Sequence, residues 1–217
     1  RRIAFEGTGA LTLNGNLTNN RGAAITVTNS VAGGLTMSNL ALSHTTTDRD
    51  VTLAGSGNTT INGVISDGAD GATDSKFIID NTGTTTLNGA NTFSGGLTLS
   101  AGTLVIGNNA ALGSGAAIFD DGVTVNSDAT ARNVANDIDF RNLQIGGTGA
   151  LTLSGTLTHT RAGGSTLTNN NAAGLTLGNI NLASSSVNRE VTFAGTGDTA
   201  VTGVIANGGT ATASSIV

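Results

Sequence analysis

The stretch that decides the fold is Gly7-Thr8-Gly9-Ala10-Leu11-Thr12-Leu13, because the same seven residues return as Gly147-Thr148-Gly149-Ala150-Leu151-Thr152-Leu153. Their offset in the numbering is 147 minus 7, which is 140. The same offset joins other identical residues: Arg21 and Arg161, Gly34-Leu35-Thr36 and Gly174-Leu175-Thr176, Arg49 and Arg189, Gly63-Val64-Ile65 and Gly203-Val204-Ile205. A long spacing kept in strict register indicates a repeat architecture.

Short apolar triplets, most of them with a central Thr, recur along the whole chain. After Leu11-Thr12-Leu13 they are Ile25-Thr26-Val27, Leu35-Thr36-Met37, Leu40-Ala41-Leu42, Val51-Thr52-Leu53, Leu97-Thr98-Leu99, Leu104-Val105-Ile106, Val123-Thr124-Val125, Leu151-Thr152-Leu153, Leu175-Thr176-Leu177 and Val191-Thr192-Phe193. A period of two predicts strands of about three to five residues, with the aliphatic side buried and the Thr side outward.

Two all-β architectures can use such strands. In an antiparallel sandwich, Asn14-Gly15, Asn62-Gly63, Asn88-Gly89 and Asp121-Gly122 would be hairpin turns. In a parallel β-solenoid, each strand pairs with the strand one coil earlier, and Gly and Asn make the corners in left-handed conformations. Short uniform strands, medium-sized aliphatic residues and recurring Asn and Thr that can stack between coils favour the solenoid.

We therefore predict a single β-solenoid over residues 1–217. Residues 1–77 match 141–217, and residues 78–140 form the middle coils. Neither terminus resembles a cap, so we expect an uncapped fragment of a longer parent, with at least one more copy of the repeat after Val217.

Composition narrows the class of protein. The 217 residues include 33 Gly and no Pro, Cys, Trp or Tyr, and only 11% are charged. Low charge with ample aliphatic residues argues for a packed structure, and Thr, Val, Asn and Gly argue against helix. A formal net charge of −5 without Tyr or Trp disfavours nucleic-acid binding. With no apolar run long enough to span a bilayer, we expect no membrane contact within the segment.

Residues 83–115 carry the most specific motif. Leu87-Asn88-Gly89-Ala90-Asn91-Thr92-Phe93-Ser94-Gly95-Gly96 is followed by Ala101-Gly102-Thr103-Leu104 and by Asn109-Ala110-Ala111-Leu112-Gly113-Ser114-Gly115. This pattern resembles the autotransporter-associated β-strand repeat, also called the passenger-associated transport repeat, of bacterial surface proteins. The resemblance implies a right-handed parallel β-helix in a secreted or surface-displayed passenger, usually a stalk or adhesin.

Few residues offer chemistry. His44 and His159 face Ser184 and Asn19 in the alignment of the two copies, so neither histidine recurs, and we interpret both as exposed polar residues on strand ends. The cluster Asp67, Asp70 and Asp74 could offer oxygens to Ca²⁺. Its counterpart, 207–214, contains no carboxylate, and the spacing is not that of a calcium-binding β-roll, so we favour a solvated turn.

A second acidic group invites comparison with polysaccharide-cleaving β-helices, in which carboxylates act as acid and base. It comprises Asp120, Asp121, Asp128, Asp137 and Asp139. Arg132 is the cation near this group in sequence. A sugar cleft usually needs aromatic side chains as platforms, and the chain contains no Tyr or Trp. We therefore assign no catalytic, cofactor-binding or metal-binding residues, and no cofactor.

Two further features have structural and functional interpretations. Asp48-Arg49-Asp50 returns as Asn188-Arg189-Glu190, and we interpret the arginine as a corner ion pair that sets the register of the coils, with a lateral contact to a neighbouring solenoid as the alternative. Outward Thr arrays can bind ice, but Thr26-Val27-Thr28 and Thr166-Leu167-Thr168 are isolated Thr-x-Thr pairs.

These observations favour a non-enzymatic structural segment of an extracellular fibre, stalk or adhesin on the bacterial cell surface. The alternatives are a glycan-binding or glycan-cleaving β-helix and an ice-binding solenoid. The expected partners are further copies of the same repeat in the parent chain, with possible homo-oligomeric or lateral fibre contacts, and no nucleic acid.

Overall fold

The fold was analysed in a computed structural model, which describes residues 1–68, 74–160, 163–182, 186–208 and 213–217. The described residues form β-strands and turns without helix, and the strands stack in parallel coils of the β-solenoid type. The predicted fold class is therefore confirmed. The chain divides into two compact units, Arg1–Ala116 and Ala117–Val217. That residues 1–217 form one continuous solenoid stays a prediction.

The first unit contains nine described strands. They are β1 (Arg2–Gly7), β2 (Leu11–Thr18), β3 (Ile25–Val31), β4 (Leu35–Ala41), β5 (Val51–Gly55), β6 (Thr59–Ile61), β7 (Ile65–Ser66), β8 (Phe77–Leu87) and β9 (Leu97–Ile106). One face stacks β1, β3, β5, β8 and β9, and a second stacks β2, β4, β6, β8 and β9. The end of β4 also pairs with β7 on a third face.

The second unit repeats this plan with shorter strands. They are β10 (Ala117–Phe119), β11 (Thr124–Ser127), β12 (Arg132–Val134), β13 (Ile138–Phe140), β14 (Leu143–Gly147), β15 (Leu151–Leu153), β16 (Leu157–His159), β17 (Ser165–Asn169), β18 (Leu175–Leu177), β19 (Ile180–Asn181), β20 (Glu190–Ala194), β21 (Thr199–Val201), β22 (Ile205–Ala206) and β23 (Ser215–Ile216). Three faces stack them in parallel: β11-β14-β17-β20-β23, β12-β15-β18-β21 and β10-β13-β16-β19-β22.

Aliphatic side chains form continuous columns inside each unit. On one face of the first unit, Val27 pairs with Leu53, Leu53 with Ile79, and Ile79 with Leu99. All four are at most 1% exposed. Burying each such side chain contributes roughly 1.5–3 kcal/mol, so an aliphatic column supplies a large part of the core. Four buried phenylalanines, Phe77, Phe93, Phe119 and Phe140, add to it.

The antiparallel sandwich is excluded by the pairing, because every described strand pair of known register is parallel. Two of the proposed hairpin turns, Asn62-Gly63 and Asn88-Gly89, are instead stacked on each other in successive coils. The Asn88 side chain donates to the Asn62 side chain at 2.8 Å. The expected strand length is wrong for β1, β2, β3 and β4, which have 6, 8, 7 and 7 residues, and for β8 and β9, which have 11 and 10. The prediction that Asn adopts a left-handed conformation at the corners is also wrong, because only Gly has positive φ among the described residues.

Glycines supply the positive-φ positions, and buried asparagines contribute side-chain hydrogen bonds instead. The Asn29 side chain donates to the Asn58 carbonyl and the Thr59 hydroxyl, both at 2.9 Å, and accepts from the Val31 N–H at 2.9 Å. Each group is satisfied, which offsets the cost of burying an amide.

The same bonds recur in the second copy of the repeat. The Asn169 side chain donates to the Asp198 carbonyl at 2.8 Å and to the Thr199 hydroxyl at 3.0 Å, and accepts from the Asn171 N–H at 2.9 Å. The sequence repeat therefore preserves a particular hydrogen-bond network as well as a strand pattern.

The offset changes once within the described residues. The Arg49 N–H donates to the Ser75 hydroxyl at 3.0 Å, and the Arg189 N–H donates to the Ser214 hydroxyl at 3.1 Å. The two equivalent serines are therefore 139 positions apart (214 minus 75), one fewer than the 140-residue offset of the sequence repeat. Correspondingly, Val51 pairs with Phe77, whereas Val191 pairs with Ile216, which is one position nearer in sequence.

In the part of the chain that the structure describes, none of the segments is a helix that could cross the apolar layer of a membrane.

Gly55 tests the close contact between coils. Its φ is +112°, and a Cβ there would lie 2.1 Å from the Asn29 carbonyl oxygen. We expect Gly55→Ala to lower the free energy of unfolding by about 2–4 kcal/mol, because it adds left-handed strain to a backbone clash. Chemical denaturation measures this loss.

Gly9→Ala is the matched control, since a Cβ at Gly9 meets nothing within 4 Å. We expect it to leave stability unchanged or to raise it by up to about 1 kcal/mol. Equal losses in the two variants would contradict the assigned coil contact.

Candidate functional site

The acidic residues of the second unit are the strongest sequence-based candidates for chemistry, and most of them bond to the next coil. Asp120 forms an ion pair with Arg141, and Asp121 accepts from the Asn142 side chain at 2.7 Å. Both partners lie at the same corner of the following coil. Arg141 is a cation that the sequence analysis missed, because only the coil register brings it to Asp120.

Two further carboxylates are used in the same way on the β13 face. Asp137 accepts from the Thr156 N–H at 2.8 Å, and Asp139 accepts from the Thr160 hydroxyl at 2.5 Å. Such bonds fix each acid as an acceptor between coils. They hold the two carboxylates in the stack, each against the following coil.

Asp128 differs because its partners lie within its own turn. Arg132 donates through Nε at 2.9 Å and through Nη2 at 2.5 Å, and the Thr130 N–H donates at 3.0 Å. The hydrogen bond from Arg132 lowers the pKa of Asp128, and the same bond raises the pKa of Arg132. A general acid of glycoside hydrolysis needs a raised pKa, so this pair favours a structural ion pair.

Two of the three calcium candidates, Asp67 and Asp74, lie among the described residues. The Asp67 carboxylate accepts the Ser94 N–H at 3.0 and 3.2 Å and the Ser94 hydroxyl at 2.7 Å, which occupies both oxygens. The Asp74 N–H donates to Asp48 at 3.0 Å, while Asp70 lies outside the described residues. Within the described ranges, no group of three His, Cys, Asp or Glu side chains has the spacing of a metal site.

The expectation that both histidines are exposed is wrong for His159. His44 is exposed, but His159 is fully buried at the end of β16, where its ring lies 5.9 Å from that of Phe140. Its Nε2 atom lies 2.7 Å from the Ser165 hydroxyl, which is itself buried. Counting by twos from Leu157 places His159 inward, and that signal could have identified it.

The corresponding corner of the first unit is formed by different residues. Asn19, which corresponds to His159, is 1% exposed, donates to the Ala23 carbonyl at 3.2 Å and accepts from the Arg21 N–H at 3.2 Å. Its neighbour Ile25 stands where the second unit has Ser165. A buried polar residue therefore anchors the corner loop in both units, which is a structural role for His159.

The Arg49 corner links coils mainly through its neighbours. Arg49 itself donates to the Thr45 hydroxyl at 3.1 Å. Asp48 and Asp50 accept the N–H groups of Asp74 and Lys76 in the next coil, at 3.0 and 3.1 Å. These bonds hold the register at this corner, and the predicted ion pair of Arg49 stays a prediction.

An outward Thr column, as the central Thr of the triplets predicted, runs along the second face of the first unit. Thr12, Thr36, Thr60 and Thr86 pair in succession, and Val105 ends the column. The outward positions two places further along each strand are Asn14, Ser38, Asn62 and Asn88. The Thr array is therefore a single column there, without the Thr-x-Thr repetition that the ice-binding alternative requires.

Asp128→Asn tests the ion pair through pH. Because Arg132 depresses the pKa of Asp128 in the folded state, the pair stabilises the protein above the ordinary Asp pKa, and this contribution is lost as pH falls through the depressed value. We expect Tm to fall less in Asp128→Asn than in the parent protein between about pH 7 and about pH 2.

Asp80→Asn, which removes an exposed carboxylate from β8, is the charge-matched control. Identical pH dependence in the Asp128→Asn protein and the parent would contradict the assigned ion pair.

Comparison with protein families identifies one segment of the chain. Residues 80–106, which begin in β8 and end in β9, match the passenger-associated-transport-repeat. Searches of curated proteins and of solved structures found no match. The match lies on the motif that suggested the resemblance, and the segment is wound into the parallel coils that the resemblance implies. Residues 80–106 are therefore similar to a passenger-associated-transport-repeat, and the match covers this segment of the chain.

Proposed function

We propose that the chain is a non-enzymatic structural segment of a secreted or surface-displayed bacterial passenger, acting as a spacer in a fibre, stalk or adhesin. The observation that carries the proposal is the use of polar side chains between coils of a solenoid that contains the transport repeat. Its mechanism is geometric, because each coil adds one strand spacing, about 4.8 Å, to the length of the segment.

The bonding of the acids supports this function over glycan cleavage. Asp120, Asp121, Asp137 and Asp139 bond to groups one coil on, and Asp128 bonds to its own turn. A cleaving β-helix needs two carboxylates free to face a sugar, one of them with a raised pKa. The hydrogen bond from Arg132 lowers the pKa of Asp128, which is the opposite of the shift that a general acid needs.

Composition supports a surface setting. This chain contains no Cys. A chain without Cys cannot form disulfides, which would have to be reduced before it could cross an outer membrane unfolded. The extracellular location, lateral contacts between solenoids and association with further repeats belong to the same proposal.

A length series tests the spacer function. One, two and four copies of the repeat period, such as residues 1–140, are inserted between an epitope tag and the cell-anchored end of a displayed passenger, and gold-labelled tags are located in electron tomograms. At roughly 20–25 residues per coil, we expect each copy to move the tag outward by about 30 Å.

Gly/Ser-rich linkers of the same lengths are the control, since the span of a flexible coil grows with the square root of its length. Tag distances that follow the linker series, or do not grow at all, would refute the spacer function. Release of reducing ends from a polysaccharide panel by the purified chain would support the competing enzymatic function instead.

A further inference from the structure

A serine and an asparagine that are both buried in the second unit bond to each other across two coils. Ser127, at the end of β11, is 3% exposed, and Asn171, which follows β17, is fully buried. The Asn171 side chain donates to the Ser127 hydroxyl at 3.2 Å and to the carbonyl of Gly149, in the coil between them, at 2.9 Å. The Ser127 hydroxyl donates to the same carbonyl. These bonds therefore join three successive coils.

Each polar atom of the two side chains has a partner. The two N–H hydrogens of the Asn171 side chain go to Ser127 and Gly149, and its oxygen accepts from the Ala173 N–H at 2.9 Å. The Ser127 hydroxyl donates one hydrogen bond and accepts another. Because a buried amide hydrogen without an acceptor is destabilising, Asn171 fits where a hydroxyl lies two coils back and is disfavoured where none does.

The first copy of the repeat shows that this place in the coil does not itself require an amide. Val31 corresponds to Asn171 and is 1% exposed. Its N–H donates to the Asn29 side chain at 2.9 Å, as the Asn171 N–H donates to the Asn169 side chain at 2.9 Å. The same backbone bond therefore forms with an aliphatic side chain packed at this place. Valine would satisfy burial alone, so the asparagine has another role.

The aliphatic columns leave one stacking error open that this pair can exclude. In the pairing of β14 with β17, Ile145 lies opposite Asn169. A slip of one residue would turn inward side chains outward, but a slip of two keeps them inward, because side chains alternate with a period of two. The same slip moves Asn171 by about 6.6 Å, at about 3.3 Å per residue. Its amide would then lie beyond hydrogen-bonding distance of Ser127 and Gly149.

We infer that Ser127 and Asn171 are specificity-determining residues of the solenoid. They select the native stacking of three coils over stackings displaced by two residues, and they add little more stability than aliphatic residues would. A coil that carries this asparagine packs only where the coil two places before it offers a hydroxyl. The inference goes beyond the proposed function, because it holds whether or not the segment acts as a spacer.

Hydrogen exchange tests the coupling of the pair. Ser127→Ala leaves one side-chain N–H of Asn171 without its acceptor. We therefore expect the amides of Gly149 and Asn170, which donate to the preceding coil at 2.7 and 2.8 Å, to exchange at least about tenfold faster. Adding Asn171→Val should return both rates to within about threefold of the unmutated chain. Ser154→Ala, which removes an exposed hydroxyl bonded between coils, is the matched control and should leave both rates within the same limit.

Disulfide trapping measures the register itself. The chain contains no Cys, and Gln144 pairs with Thr168 on the outward side of the strands. Gln144→Cys is combined with Thr168→Cys, which reports the native register, or with Thr166→Cys, which reports a slip of two residues. Each protein is refolded from denaturant, oxidised and mapped by mass spectrometry. We expect the slipped disulfide to form at least about threefold more often in the Ser127→Ala/Asn171→Val background than in the unmutated one.

The two measurements can each overturn the inference. Equal exchange in Ser127→Ala and the unmutated chain would show that the two side chains are not coupled. An equal yield of the slipped disulfide in both backgrounds would show that they do not select register. A double variant that exchanges as fast as Ser127→Ala, or that fails to form the native disulfide, would also overturn it, because the pair would then be a source of stability.

Discussion

The structure depends on one geometric constraint: parallel strands repeat at a fixed spacing, so each residue lies directly above its partner in the next coil. An inward position must therefore be apolar through the stack or polar with its partners supplied locally. Asn29 shows the second solution, since its side-chain amide bonds to Asn58 and Thr59 and its backbone carbonyl oxygen receives two N–H groups from the next coil. Gly55 completes it, because a side chain there would occupy the space of that carbonyl.

The same constraint explains how a chain with few charges uses them. A carboxylate at a coil corner finds a donor at the matching corner of the next coil, as Asp121 does with Asn142 and Asp137 with Thr156. Each bond contributes only about 1 kcal/mol, yet it also distinguishes the correct coil register from one shifted by a single position. Thus acids that could suggest catalysis from sequence form hydrogen bonds between successive coils.

Sequence was sufficient for the features that have a short period. Triplets such as Leu151-Thr152-Leu153 predicted strands with the right residues inward. The 140-residue offset relates Asn29 to Asn169, and the two side chains form matching hydrogen bonds. It was insufficient for contacts between coils, because coil length varies: Arg2 pairs with Thr26, whereas Ile78 pairs with the nearer Thr98. The prediction that His159 is exposed failed for another reason. It gave more weight to the polarity of the side chain than to the period of two, which places His159 inward beside Phe140.

Variable coil length with constant columns implies that the corners absorb insertions while the faces carry the specificity. The loop after His159 and the loop after Asn19 use different polar anchors, yet β16 and the end of β2 hold corresponding places in their stacks. The single-position change between the Ser75 and Ser214 bonds likewise leaves the aliphatic residue Ile216 paired with Val191. The corners of such a repeat can therefore diverge in sequence and length without a loss of register. The side chains on the face of each coil then determine which coil can pack on it.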